Sequence, residues 1–191
     1  MHRETFHYDY VYVIHNFLTS VECARYIEMA EGIGFTEAPV STSQGQVMRK
    51  DIRNNLRLMS DDPETANILW QRIQPWVIDP WRHRHAIGLN ERLRFYKYEP
   101  GQSFAPHCDG RYRRSDFEKS DFTFLVYLND DFKGGGTRFF QPQTFRVVPK
   151  AGSALLFHHP QLHEGEEVKS GVKYVLRSDV MYRSTNADHD G

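Results

Sequence analysis

Arg92-Leu93-Arg94-Phe95-Tyr96-Lys97-Tyr98-Glu99-Pro100-Gly101-Gln102-Ser103-Phe104-Ala105-Pro106-His107-Cys108-Asp109 is the stretch on which the fold turns. It reads as two short strands, 92–98 and 104–109, divided by a Pro-Gly turn. The same texture continues through 122–128, 137–140, 144–148, 153–158 and 172–182, with Gly, Pro and Asn-Asp breaks between. Many short strands at this spacing predict a sandwich or barrel. Upstream, a strand is expected over Tyr8 to Ile14. Ser20 is the expected N-cap of a helix from Val21 to Ala30, whose stripe is Val21, Ala24 and Ile27 and which Gly32 and Gly34 end. Residues 36–46 read as a loop and Met48 to Leu58 as a strand. A second helix is expected after Asp61-Asp62-Pro63, running through Trp76. The expected class is α+β, mainly β. A double-stranded β-helix (jelly roll) core spans about 92–183, with the N-terminal helices packed outside. Residues 1–184 form one domain and 185–191 a flexible tail.

With 191 residues the chain is long enough for one sizeable core. Its net charge of -1 gives no global field for nucleic acid or an anionic membrane. No run reaches the ~18 apolar residues of a membrane helix, and the charged start lacks a signal-peptide core. A cytoplasmic location is therefore expected. Cys23 and Cys108 do not make a disulfide framework. Both read as small hydrophobes, Cys23 half-buried on the first helix and Cys108 buried.

His107 and Asp109 stand two apart on a strand end, so both side chains leave one face. His163 comes 54 positions later and is expected on a facing strand at the same mouth. Two imidazoles and a carboxylate on one face of an ion leave its other positions open, the facial-triad arrangement of non-haem iron sites. No thiolate is placed to favour zinc. His-x-Asp is a weak signal in a chain with ten histidines. Spacing alone leaves open both an iron site and an ordinary set of hydrogen-bonding residues. Of the adjacent His158 and His159, at most one is expected to turn inward, while His83 and His85 read as surface residues.

Four segments, taken in order, resemble the Fe(II)/2-oxoglutarate-dependent dioxygenases, nearest their prolyl 4-hydroxylase-like branch. They are Arg94-Phe95-Tyr96-Lys97-Tyr98-Glu99-Pro100-Gly101 leading to His107-Cys108-Asp109-Gly110, then Phe124-Leu125-Val126-Tyr127-Leu128-Asn129, then Gly134-Gly135-Gly136-Thr137-Arg138-Phe139-Phe140, and finally His163-Glu164-Gly165 leading to Gly171-Val172-Lys173-Tyr174. The resemblance covers roughly Leu93 to Arg183. It implies that His107, Asp109 and His163 bind Fe(II), and that 2-oxoglutarate and O2 are cosubstrates. The expected reaction hydroxylates an unactivated C–H bond, on a prolyl or other amino-acid residue or on a small molecule, with release of succinate and CO2. The carboxylate of Asp109 argues against halogenation, because halogenating relatives put halide in its place. Lys173, ten positions after His163, matches the residue that pairs with the far carboxylate of 2-oxoglutarate, and Tyr127 and Tyr98 match pocket tyrosines.

Arg177 lies four residues after Lys173 and shares its face of a strand. It competes for the same carboxylate, and Lys173 is favoured on register. Arg177 and Arg183 also resemble the paired arginines of nucleic-acid demethylases in the same superfamily, although the residues between them depart from that pattern. Arg111 and Arg113 follow the metal motif on an expected mobile loop, where they could grip an acidic or phosphorylated substrate. Arg53 and Asn55 are weak substrate-site candidates. A nucleic-acid or protein demethylase and a non-enzymatic metal-binding β domain remain as alternatives.

Overall fold

The computed structural model describes residues 1–42 and 45–184, so the expected tail at 185–191 lies outside the described residues. Among the described residues the chain is mainly β, with two α-helices, α1 at Ser20–Ile33 and α2 at Pro63–Ile73. Its large antiparallel sheet runs His2–His7, Val11–His15, Ala154–His158, Glu118–Tyr127, Lys173–Ser184, Arg92–Tyr98, Leu56–Asp61, Thr36–Glu37. Strand Arg84–Leu89 pairs with the far end of Lys173–Ser184. A smaller sheet, ordered Phe145–Val147, Thr137–Phe139, His163–Gly165, Phe104–His107, forms a second group of strands.

The central strands of the large sheet are buried on both faces, which is why they read as nearly continuous apolar runs. Phe122, Phe124 and Val126 point to one side, where they pack with Leu69, Trp70 and Ile73 of α2 and Cys23 and Ala30 of α1. Leu125 and Tyr127 point to the other side, against Phe139 and Val147 of the small sheet. The same period of two divides Leu176, in the helix-side cluster, from Val175 between the sheets. Every polar side chain at odd positions from Lys173 to Asp179 is thereby sent to the inter-sheet face.

Several boundaries differ from the sequence reading. A strand at His2–His7 precedes the expected one and pairs with Val11–His15 across a turn at Tyr8, whose φ is 42°. Thr19, not Ser20, caps α1: its hydroxyl accepts from the Glu22 amide while the Glu22 carboxylate accepts from the Thr19 amide. The expected loop at 36–46 holds three short strands, Thr36–Glu37, Val40–Thr42 and Gly45–Val47. The expected strand from Met48 begins only at Leu56, because the Ile52 and Arg53 amides both bond back to the Arg49 carbonyl and make a turn.

Candidate active site

His107 and His163 sit directly opposite each other on neighbouring strands of the small sheet, with ring centroids 4.3 Å apart. They are cross-strand partners rather than residues on facing strands. The strand ends at His107, so Asp109 projects from the segment beyond it, where its amide bonds to the His159 carbonyl. One ligand atom from each of His107, Asp109 and His163 lies within 4.8 Å of the others. His107 Nε2 is 3.6 Å from one Asp109 oxygen and His163 Nε2 is 3.8 Å from the other.

Backbone carbonyls set the tautomers. His107 Nδ1 donates to Ala105 at 2.8 Å and His163 Nδ1 donates to Gln161 at 2.9 Å. Each ring is left with a lone pair on Nε2, aimed at the same point as the carboxylate. Burial holds His163 down to about 4, so its imidazole is neutral at physiological pH. Phe104 stacks on the His107 ring at 3.6 Å and Phe157 meets His163 edge-on at 4.5 Å, which fixes both planes. Burial alone would raise the Asp109 pKa, but Arg177 and the two imidazoles hold the carboxyl well below its ordinary range. This donor set, two imidazoles presenting Nε2 beside an ionised carboxylate and no thiolate, fits Fe(II).

A directed hydrogen-bond chain orients that carboxylate. The Tyr112 amide donates to Ser120 Oγ at 2.8 Å. Ser120 Oγ lies 2.9 Å from His159 Nε2, His159 Nδ1 lies 3.1 Å from Thr123 Oγ1, and Thr123 donates to Asp109 at 2.6 Å. An ionised carboxylate can only accept. Thr123 must therefore accept from His159, and His159, neutral because burial lowers its pKa, must accept from Ser120. His158 and His159 are both buried, on opposite sides: His158 packs against Tyr10, Trp81 and Phe122. Cys108 is exposed rather than buried, since it follows the end of the strand.

Lys173 is 3 % exposed and lies at the inner end of the same cavity, beside Tyr98 and Tyr127. Its Nζ donates to the Gly135 carbonyl at 2.7 Å. Desolvation lowers its pKa to about 8, with Glu166 opposing. The Gly-Gly-Gly turn makes this contact possible. Gly134 and Gly135 both have positive φ, and a Cβ on Gly134 would lie 2.3 Å from the Glu167 carbonyl oxygen. Tyr127 and Thr137 share a hydroxyl contact of 2.7 Å at that end.

Arg177 is directed elsewhere: its Nη1 meets Asp109 at 2.9 Å and its Nη2 lies 3.5 Å from Asp179. Arg53 lies over Tyr96 and Phe104 and donates to Asn55 at 2.7 Å. Asn55 supports that arginine and does not line the cavity. Arg111 lines the outer cavity, whereas Arg113 does not and pairs loosely with Asp116. Arg183 turns outward to Glu118 at 2.7 Å. Sequence reasoning missed Thr123, His159 and Ser120, and also Arg57 and Arg94 of the outer cavity. The alternation of the core strand, which sends Thr123 to the same face as Tyr127, was the one local signal for any of them.

The sequence family described as the 2OG-Fe(II) oxygenase superfamily matches residues 93–178, from the strand before His107 to the strand carrying Lys173. That match takes in a little under half of the chain and contains His107, Asp109, His163 and Lys173. The relatives the chain is similar to include prolyl 4-hydroxylases. It is 26 % identical over 187 residues to a putative prolyl 4-hydroxylase of Acanthamoeba polyphaga mimivirus, covering 88 % of this chain and 72 % of that one. It is 30 % identical over 173 residues to probable prolyl 4-hydroxylase 11 of Arabidopsis thaliana, covering 76 % and 55 %. The chain thus spans little more than half the length of that plant relative.

Two solved structures share the fold. A viral collagen prolyl hydroxylase from Paramecium Bursaria Chlorella virus-1, in complex with 2OG, superposes with a TM-score of 0.62 at 21 % identity, over 91 % of this chain and 96 % of that one. A prolyl hydroxylase from Trichoplax adhaerens, in complex with a hypoxia inducible factor peptide, gives 0.71 at 18 % identity, over 91 % and 84 %. The family match and the cluster of His107, Asp109 and His163 together support Fe(II), 2-oxoglutarate and O2 as cofactor and cosubstrates. Among its described residues no helix is long and apolar enough to cross a membrane.

Proposed function

We propose that the chain is a hydroxylase that couples oxidation of 2-oxoglutarate to hydroxylation of an unactivated C–H bond on a prolyl or other amino-acid residue. The stoichiometry is one C–H group, one 2-oxoglutarate and one O2 giving the alcohol, succinate and CO2. The observation that carries this reading is Lys173, a buried cation that makes no salt bridge among the described residues, set in the cavity that the three candidate metal-ligating side chains also line. A buried unpaired cation is costly, and a dianionic cosubstrate removes that cost.

In this reading His107, Asp109 and His163 hold iron, and Lys173 with Tyr127 and Tyr98 holds the far carboxylate of 2-oxoglutarate. Bound together, the ion and cosubstrate supply the oxidising power, and the protein positions it. Arg177 and Thr123 engage opposite oxygens of Asp109 and so restrict how it can turn. Phe104, Phe157, Leu125 and Val175 keep the cavity wall dry. We place the two stacks of strands in a double-stranded β-helix, residues 1–184 in one catalytic domain, and the protein in the cytosol, a location supported by two free cysteines. The demethylase reading loses its second arginine, because Arg183 faces outward to Glu118.

Succinate release with added Fe(II), 2-oxoglutarate and a peptide library tests the proposal. Turnover should require iron and disappear in His107→Ala and Asp109→Ala. Unchanged turnover in either variant would sink the iron assignment.

A further inference from the structure

The cavity has an outer part, about 500 Å³, that opens beside the iron ligands. Among the described residues it is lined by five arginines, Arg53, Arg57, Arg94, Arg111 and Arg177, and by one carboxylate, Asp109. Three of the five are paired with carboxylates. Arg94 meets Asp179 at 2.9 Å, Arg111 meets Asp121 at 3.2 Å and Arg177 meets Asp109. Arg53 and Arg57 have no such partner among the described residues. Arg53 is only 6 % exposed, and its Nη2 is buried without any hydrogen-bond partner. Its guanidinium lies 4.6 Å from the Phe104 ring, and that ring is stacked 3.6 Å from His107. One aromatic ring therefore separates the unpaired donor from the metal ligand.

The surplus positive charge is felt by its neighbours. Burial would raise the pKa of Tyr96, yet Arg177, Arg53 and Arg94 bring it below the ordinary phenol value. Burial lowers the pKa of Arg57, and Arg53 and Arg94 add to that. An arginine cluster this poor in carboxylates, half enclosed and aimed inward, is matched by an anion that accepts from planar guanidinium forks.

We infer that the substrate carries a carboxylate or phosphate close to the oxidised carbon, and that Arg53 and Arg57 bind this group. The concave shape and the overall charge of -1 favour a small acid or a short acidic peptide over a polynucleotide track. The inference rests on the hydroxylase reading for where the reacting carbon sits, and not for the existence of the anion site.

Anaerobic calorimetry on the protein loaded with Fe(II) and 2-oxoglutarate tests it. The probes are N-acetyl-proline, its amide, inorganic phosphate and a short single-stranded oligonucleotide. The acid should bind at least tenfold more tightly than the amide, and phosphate should compete with it. That preference should fall below about threefold in Arg53→Gln and in the partly exposed Arg57→Gln, with affinity for 2-oxoglutarate unchanged. A phosphate affinity above that of the acid would assign a phosphorylated substrate. Equal binding of acid and amide, no binding of either anion up to about 10 mM, or an oligonucleotide that outcompetes both would overturn the inference. Loading with 2-oxoglutarate is measured first, so failure there counts against the hydroxylase reading and leaves the anion site to be judged separately.

Discussion

Lys173 at the inner end of the cavity and Arg53 at the outer end are both buried cations, 3 % and 6 % exposed, yet they are held in different ways. Lys173 stands alone among aromatic rings, with a backbone carbonyl as its hydrogen-bond acceptor. Arg53 belongs to a group of guanidiniums, partly neutralised by Asp109, Asp121 and Asp179. The inner end is a single point charge in an apolar setting, suited to one fixed anion. The outer end spreads charge over several planar donors and can accept a range of acids. A cosubstrate shared by many enzymes and a substrate particular to one call for these two kinds of site.

The largest expected effect separates the two ends. Lys173→Met should lower affinity for 2-oxoglutarate on the order of 10²–10³-fold, because it leaves a carboxylate buried without its cation. Iron binding should persist. The same substitution should stabilise the ligand-free protein by a few kcal/mol, since it removes an unpaired buried charge. Calorimetry with the cosubstrate and thermal unfolding without it measure these two opposite signs. A variant that loses both affinity and stability would break the contrast.

Next in size is Thr123→Val, which keeps the shape of the side chain and removes the hydroxyl that joins His159 to Asp109. Loss of such a supporting bond typically costs 10–100-fold in metal affinity. Iron affinity should fall by about that factor while 2-oxoglutarate affinity, measured at saturating iron, changes little. An effect confined to unfolding temperature would reduce the chain from Tyr112 to Asp109 to a packing feature.

Lys173 also sets a pH dependence. Its folded pKa of about 8 lies below the ordinary 10.5. Between those values the unfolded chain binds more protons, so the stability of the ligand-free protein should rise with pH across that window. Cosubstrate binding runs the other way. It needs the ammonium, so affinity should fall by up to tenfold per unit above pH 8, with uptake of a proton. Calorimetry in buffers of different ionisation enthalpy reads that proton directly, and a flat profile from pH 7 to 10 would assign the carboxylate to another cation.

What could be read from the sequence follows the same division. Lys173 was visible because its distance from His163 is a linear property of the chain, and the strands from 92 to 98 and from 122 onward were visible because their composition is local. The outer cavity was visible only in part, through Arg53, Arg111 and Arg177. Arg53 and Arg57 come from one segment and Arg94, Arg111 and Arg177 from three others, and the pairing of Leu56–Asp61 with Arg92–Tyr98, and of that strand with Lys173–Ser184, brings Arg57, Arg94 and Arg177 together. Strand register is a non-local outcome that no single stretch encodes. Asp109 shows a milder case: its spacing from His107 fits strand alternation, yet it meets the site from beyond the strand end, held by Thr123 and Arg177.

Arg111 and Arg113 supply the smallest test, and the finest one. In sequence they are alike, two arginines on one loop. In the fold Arg111 Nε lies 3.2 Å from Asp121, which is fully buried and has Arg84 2.8 Å away on its other oxygen, neither contact being aligned as a hydrogen bond. Arg113 is exposed, 3.7 Å from an exposed Asp116. Arg111→Ala leaves Asp121 with one cation instead of two. Because the Arg111 side chain is 42 % exposed, solvent screens much of that loss, and the cost should be about 1 kcal/mol, or 2–4 °C in Tm. The variant should also weaken the acid-over-amide preference at the mouth, since one of five guanidiniums is gone. Arg113→Ala should move neither quantity beyond about 1 °C or a twofold change. If both variants weaken acid binding equally, the outer end works through diffuse charge on the loop and not through a built cluster around Arg53.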